Sequence, residues 1–155
     1  MMRRRIAFIV GTILAFCLFA GCASGTAVDV KTLAQQIAND VSFDEPLTEL
    51  DPESAERVFR VEADEVAAVG AWVGSGATVD EVCVWEANDN DDAEDIEEVL
   101  AARVASRTED YQDYKPDEVP KLEQAVLVRN GKYVALCVGP DAAAARSLIE
   151  AAFKG

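Results

Sequence analysis

Carboxylates are the most abundant reactive groups in this chain. Their densest run is Asn88, Asp89, Asn90, Asp91, Asp92, Glu94 and Asp95. A hard cation such as calcium takes oxygen ligands of this kind. The spacing departs from an EF-hand loop: counting from Asp89, the third acidic place is Ala93, and no glycine follows. Acids ahead of a periodic apolar segment also cap a helix and offset its dipole, and the run reads better that way. A second acidic stretch, "DEVPKLE" at 117–123, raises the chemistry of paired-carboxylate hydrolysis. That chemistry needs one carboxyl with a raised pKa and a concave site, and no spacing selects a pair among the 29 acids. The chain has no histidine. Ser-His and Cys-His nucleophile pairs and histidine-containing zinc sites are therefore excluded within one chain. Nothing in the sequence asks for a metal or a cofactor, and no catalytic residue stands out.

Arg103 falls one place from the apolar stripe of a helical segment. Its planar fork suits an anion or a carboxylate ligand, and equally a structural ion pair with its stem packed on a sheet, the reading the sequence favours. Trp72, Trp85, Cys83, Tyr133, Ala135 and Cys137 alternate with Val73, Val82, Val84, Val134, Leu136 and Val138. If the valine-rich face meets the helices, Trp72, Trp85 and Tyr133 share the other face of a sheet. There they would bind a glycan or a partner protein, or lie under an N-terminal helix. Cys83 and Cys137 are expected as two buried, reduced thiols, since a bridge demands neighbouring strands in compatible register and free cysteine packs as a small hydrophobe.

The elements that must position these groups follow from periodicity. Val30, Leu33, Ile37 and Val41 predict a helix over 30–41, and Asp51-Pro52-Glu53 starts a short helix to about Phe59. "VAAVGAWV" (66–73) and "VDEVCVWE" (79–86) read as strands around a Gly-Ser-Gly turn. Ile96, Leu100, Val104 and Tyr111 predict a long helix over about 92–113. Asn130-Gly131 between two β-rich runs, 125–138, is a hairpin signal, and "GPD" at 139–141 opens a last helix. The order ααββαββα predicts an α+β fold: a single four-stranded, largely antiparallel sheet with helices packed on it.

The N-terminus carries a different kind of signal. Arg3, Arg4 and Arg5 precede an apolar run from Ile6 to Ala20, shorter than the roughly 20 residues that span a bilayer core. A basic start, a short apolar core and small residues describe a secretory signal peptide. Ala20-Gly21-Cys22 resembles the lipobox of bacterial lipoproteins, with Phe19 where that family usually has Leu. The resemblance implies a signal peptide over 1–21, a diacylglyceryl group on the thiol of Cys22, a lipidated cysteine and short tether over 22–29, and one α+β domain over 30–155. Cleavage there removes three arginines and no acid from a chain at −15, leaving −18. That charge argues against nucleic acid, whose binding depends on Lys and Arg. It is also ill suited to lying on an anionic bilayer.

"GSGATVDEVCVWEA" (74–87) and "YQDYKPDEVPKLEQAVLVRNGKYVALCVGPD" (111–141) resemble a family of small bacterial lipoproteins that share a domain of unknown function. Arg103, Tyr111, Tyr114, Pro116, Lys121, Gly131 and Tyr133 occupy matching places. The resemblance implies an exported, lipid-anchored domain on the extracytoplasmic face of the cell membrane, and it implies no activity. The expectation is a non-enzymatic envelope lipoprotein that binds a ligand or another envelope protein. The alternatives are an acid-dependent cell-wall hydrolase, which would show two carboxylates facing across a concave site, and a structural lipoprotein with a calcium-binding acidic loop.

Overall fold

Helix boundaries are set by side chains that satisfy the first unpaired N–H groups. In a computed structural model that describes residues 27–155, helix α1 runs Val30–Asp40 and is capped by Asp29, which accepts from the Thr32 N–H at 2.9 Å. Cys22 and residues 1–21 lie outside the described residues. Helix α2 (Pro52–Phe59) is capped by Asp51 and has proline at its first turn, where no N–H is missed. It ends at Arg60, which adopts left-handed backbone (φ 61°), while the Val61 N–H reaches back to the Glu56 carbonyl at 3.1 Å. This is a Schellman-type stop formed without glycine. The long helix α3 (Asn90–Tyr114) is capped by Asp89, whose carboxylate accepts from the N–H groups of Asp91 and Asp92. The densest acidic run thus sits at a helix start. Among the described residues no group of three or more Cys, Asp or Glu is placed to hold a metal ion. Helix α4 (Val119–Glu123) is short, and α5 (Ala142–Lys154) is capped by Asp141.

The strands form one open antiparallel sheet of five, not the expected four, in the order β1-β2-β3-β5-β4. The additional edge strand, β1 (Thr48–Leu50), has only three residues, too few to show an alternating pattern in sequence. It covers Ala71–Val73 of β2 (Val66–Val73) and leaves the first half of that strand without a partner on this side. β3 (Glu81–Ala87) is central, flanked by β2 and by β5 (Tyr133–Val138), and β4 (Val126–Asn130) closes the far edge. Asn130 pairs with Tyr133, so Gly131 and Lys132 are the two turn residues. Gly131 supplies the positive φ (57°) at the first central position, the arrangement of a II′ hairpin.

Both sheet faces are covered. α2, α3 and α4 bury Cys83, Trp85, Ala87, Val134, Leu136 and Val138; α1 and α5 bury Trp72, Val82, Val84, Ala135 and Cys137. The expected aromatic face therefore does not form. The pairing of Trp72 with Val82 puts β3 one residue out of the expected phase, so Trp72 and Trp85 lie on opposite faces. Trp85 is fully buried, in edge-on contact with Phe59, and Trp72 is 7 % exposed. Tyr133 is half-buried on the α1/α5 face beside Phe153, and its hydroxyl accepts from the Val28 N–H at 3.3 Å. Cys83 and Cys137 are both buried and free, as expected. Cys137 pairs with Val82 and Cys83 with Leu136, so the two thiols point to opposite faces of adjacent strands. Desolvation pushes the Cys137 thiol up to about 12 and raises that of Cys83 as well.

α1 lies against the backbone of β2 at Gly70. A β-carbon there would lie 2.6 Å from the Lys31 Cα and 2.8 Å from the Val30 carbonyl oxygen. Both obstacles are backbone, so relief requires α1 to shift as a unit. Gly70→Ala is expected to lower the unfolding free energy by about 2 kcal/mol in urea titration. An unchanged midpoint would show that α1 is not held where the contact places it.

Candidate anion-binding cleft

Glu81 begins the central strand, and its residue is 2 % exposed. A carboxylate so far from water must be paired. The long helix α3 supplies two cations one turn apart, on the same face. Arg103 grips the carboxylate with two prongs, Nε to Oε1 at 3.0 Å and Nη2 to Oε2 at 2.8 Å, and Arg107 Nη1 adds a contact to Oε2 at 2.7 Å. The third prong of Arg103, Nη1, donates to the Val58 carbonyl at the end of α2 at 2.8 Å. The guanidinium also lies 4.6 Å above the Phe59 ring. Burial works against the charge of Arg103, and the Glu81 carboxylate more than offsets it, so its pKa is raised. The ion-pair reading of Arg103 is the one the structure shows.

The neighbouring residue, Asp80, belongs to a second network. Lys121, on α4, donates to Asp80 Oδ1 and Glu118 Oε2, both at 2.9 Å, and approaches Asp44 Oδ2 at 2.5 Å. The Asp44 N–H donates to Asp80 Oδ2 at 2.8 Å, and the Val79 N–H to Glu118 Oε2 at 2.9 Å. Burial opposes the Lys121 charge, but Asp44, Glu118 and Asp80 together raise its pKa. Burial would raise Glu118, yet Lys121 and the Val79 N–H hold it below the usual carboxylate range. Glu45 closes the loop after β2 by accepting from Ser75 Oγ and Thr78 Oγ1, each at 2.6 Å, which pulls it down to about 2. "DEVPKLE" is thus a clasp on the β2–β3 loop, in which Glu118 accepts from the Val79 N–H and pairs with Lys121.

Between α2 and α3 lies an open cleft of about 620 Å3. One wall carries Arg57 and Arg60, the other Arg103 and Arg107. Val58, Val99 and Ala102 contribute apolar surface, and Ser106 and Asp110 complete the α3 side. Val99, Ala102, Arg103, Ser106, Arg107 and Asp110 recur at three and four, one continuous stripe of α3. Apart from Arg103, sequence reasoning did not pick out these groups. The available signal was the i, i+4 spacing of Arg103 and Arg107 and the i, i+3 spacing of Arg57 and Arg60. What sequence could not supply is that two distant helices bring both pairs together. Trp72, Trp85 and Tyr133, the other expected binding residues, lie outside this cleft.

Removing the charge of Glu81 leaves two guanidiniums facing an uncharged, buried amide. Glu81→Gln is expected to destabilise the protein by about 3 kcal/mol, because breaking a buried pair strands the remaining charge. Chemical denaturation measures it. A loss under about 1 kcal/mol, the range of a surface pair, would show that solvent reaches and screens the network.

Neither the curated proteins nor the solved structures contain a match to the chain. The model of one family, described as a domain of unknown function (DUF4358), matches residues 39–139. That span holds all five strands, α2 to α4, both ion networks and the four arginines of the cleft, and leaves out most of α1 and all of α5. With well over half of its length matched, the chain belongs to the DUF4358 family.

Proposed function

We propose that this protein is a non-enzymatic binding lipoprotein, held through Cys22 to the outer face of a cell membrane. The observation that carries the binding reading is the arginine-walled cleft. In a chain of net charge −15, four of its basic residues gather at one open groove beside apolar surface. Such a groove, with a few convergent polar groups, is the ordinary form of a ligand site. The support for binding over hydrolysis is the disposition of the buried acids. Glu81 is held by Arg103 and Arg107, and Asp80 and Glu118 by Lys121, so none of them stands unpaired at the cleft. The lipid anchor is supported by the Ala20-Gly21-Cys22 sequence and by a domain whose first capped element begins at Asp29, a few residues beyond the cysteine. One acyl chain anchors only marginally, and two or three anchor stably.

The anchor is tested with Cys22→Ala. The variant should remain as uncleaved precursor without lipid, read by mass spectrometry of the membrane fraction; an unmodified Cys22 in an intact wild-type N-terminus would overturn it. The binding reading is tested by incubating full-length protein in non-ionic detergent with detergent-extracted bacterial cell envelopes, which offer no bilayer to the anchor. Saturable co-sedimentation without release of soluble sugar or peptide fragments is expected. Release of fragments would instead favour the hydrolase, and failure to co-sediment would remove the binding reading.

A further inference from the structure

The four arginines of the cleft are not equivalent. Arg103 and Arg107 are held by Glu81, whereas Arg57 makes only an exposed contact to Glu53 at 3.6 Å and a hydrogen bond to Ser54 Oγ. Among the described residues Arg60 has no carboxylate partner, although it is exposed and sits on a backbone conformation that costs a non-glycine residue about 1 kcal/mol. Arg103 uses three of its five N–H donors. The polar contacts of Arg107 run through Nη1, to Glu81 and to the Val79 carbonyl, and its guanidinium lies 5.5 Å from the centre of the Tyr111 ring. Unspent donors therefore line both walls of one groove: fixed guanidiniums on α3, loosely held ones on α2. Among the described residues Asp110 is the one carboxylate that lines it.

We propose that this cleft binds the phosphate group of a phosphate ester. The inference deepens the binding reading above and rests on it. Arginine forks match phosphate oxygens geometrically. A tetrahedral oxyanion presents its acceptors in three dimensions and can accept from both walls at once. Val58, Val99 and Ala102 give the carbon side of an ester an apolar seat. The overall negative charge does not forbid this, since exposed charges more than about 8 Å away are largely screened at physiological salt. The phosphate could belong to a lipid headgroup or to a soluble or polymeric ester. The chain enters on the α1 side of the sheet and the cleft lies on the α3 side.

The test uses the full-length protein in non-ionic detergent, following the arginine Nε signals by NMR at constant ionic strength. Inorganic phosphate, then glycerol phosphate, should give saturable shifts at Arg57, Arg60 and Arg107, and matched chloride should not. Arg60→Gly removes a cleft charge while placing at that position the residue best suited to its backbone, so it should stay folded and bind phosphate at least tenfold more weakly. Arg146→Gln, on α5 outside the cleft, should bind as the wild type does. Displacement of phosphate by phosphatidylglycerol, and not by phosphatidylcholine, each presented in mixed detergent micelles, assigns the ester to a lipid. Displacement by glycerol phosphate alone assigns it to a soluble or polymeric ester. Equal shifts with chloride, or undiminished binding by Arg60→Gly, would overturn the proposal. Envelope co-sedimentation that survives both results would leave the binding reading standing with a different ligand.

Discussion

A carboxylate sealed at the start of the central strand governs much of what surrounds it. Glu81 cannot stay charged under the sheet-facing side of α3 without a cation, and one arginine does not use all of its oxygen lone pairs. Two arginines on one helical face engage both oxygens with three contacts, and their mutual repulsion is cancelled only while the carboxylate lies between them. The orientation of both guanidiniums, and the tie between α3 and the first residue of β3, follow from that one arrangement. The bond from Arg103 to the Val58 carbonyl extends it to α2, so the two walls of the cleft are tied by the residue that ties the helix to the sheet.

The same loop supplies a second restraint of opposite sign. At Glu81 one acid is held by two bases; around Lys121 one base is held by three acids. Adjacent residues, Asp80 and Glu81, thus anchor two separate networks on two helices. Buried ion pairs are costly to desolvate and are weak sources of stability. What they impose here is position: a slip of one residue in β3 would carry both acids away from their partners at once, in addition to exposing the apolar faces.

Periodicity made most of the elements readable. The capped start at Asp51, the opening of the last helix at "GPD" and the stripe Ile96, Leu100, Val104 and Tyr111 each follow from local physics, and the structure has them. Three things were not local. β1 is too short to carry a pattern. The phase of β3 against β2 depends on how the 74–80 loop is folded by Glu45, Asp80 and Glu118, which lie far apart in sequence, and so Trp72 and Trp85 were assigned to one face when they occupy two. The hairpin at Asn130-Gly131 was recognised, but its turn is centred one residue later, because glycine takes the first central position and asparagine closes the ladder. At the candidate site Arg103 was legible as an ion-pairing residue at the margin of an apolar stripe. Its companions were not, because an arginine on α2 and an arginine on α3 become neighbours only after both helices have docked on the sheet.

The register of β3 against β5 settles a matter of maturation. With Cys83 beneath α3 and Cys137 beneath α1 and α5, a whole sheet stands between two sulfur atoms on adjoining strands. A covalent link would require turning one strand over and exposing its core residues. Burial also suppresses the thiolate form, the species that attacks disulfides and oxidants. Among the described residues the fold is therefore reached without an oxidation step, needs no catalyst of thiol exchange, and is the same in reducing and oxidising surroundings.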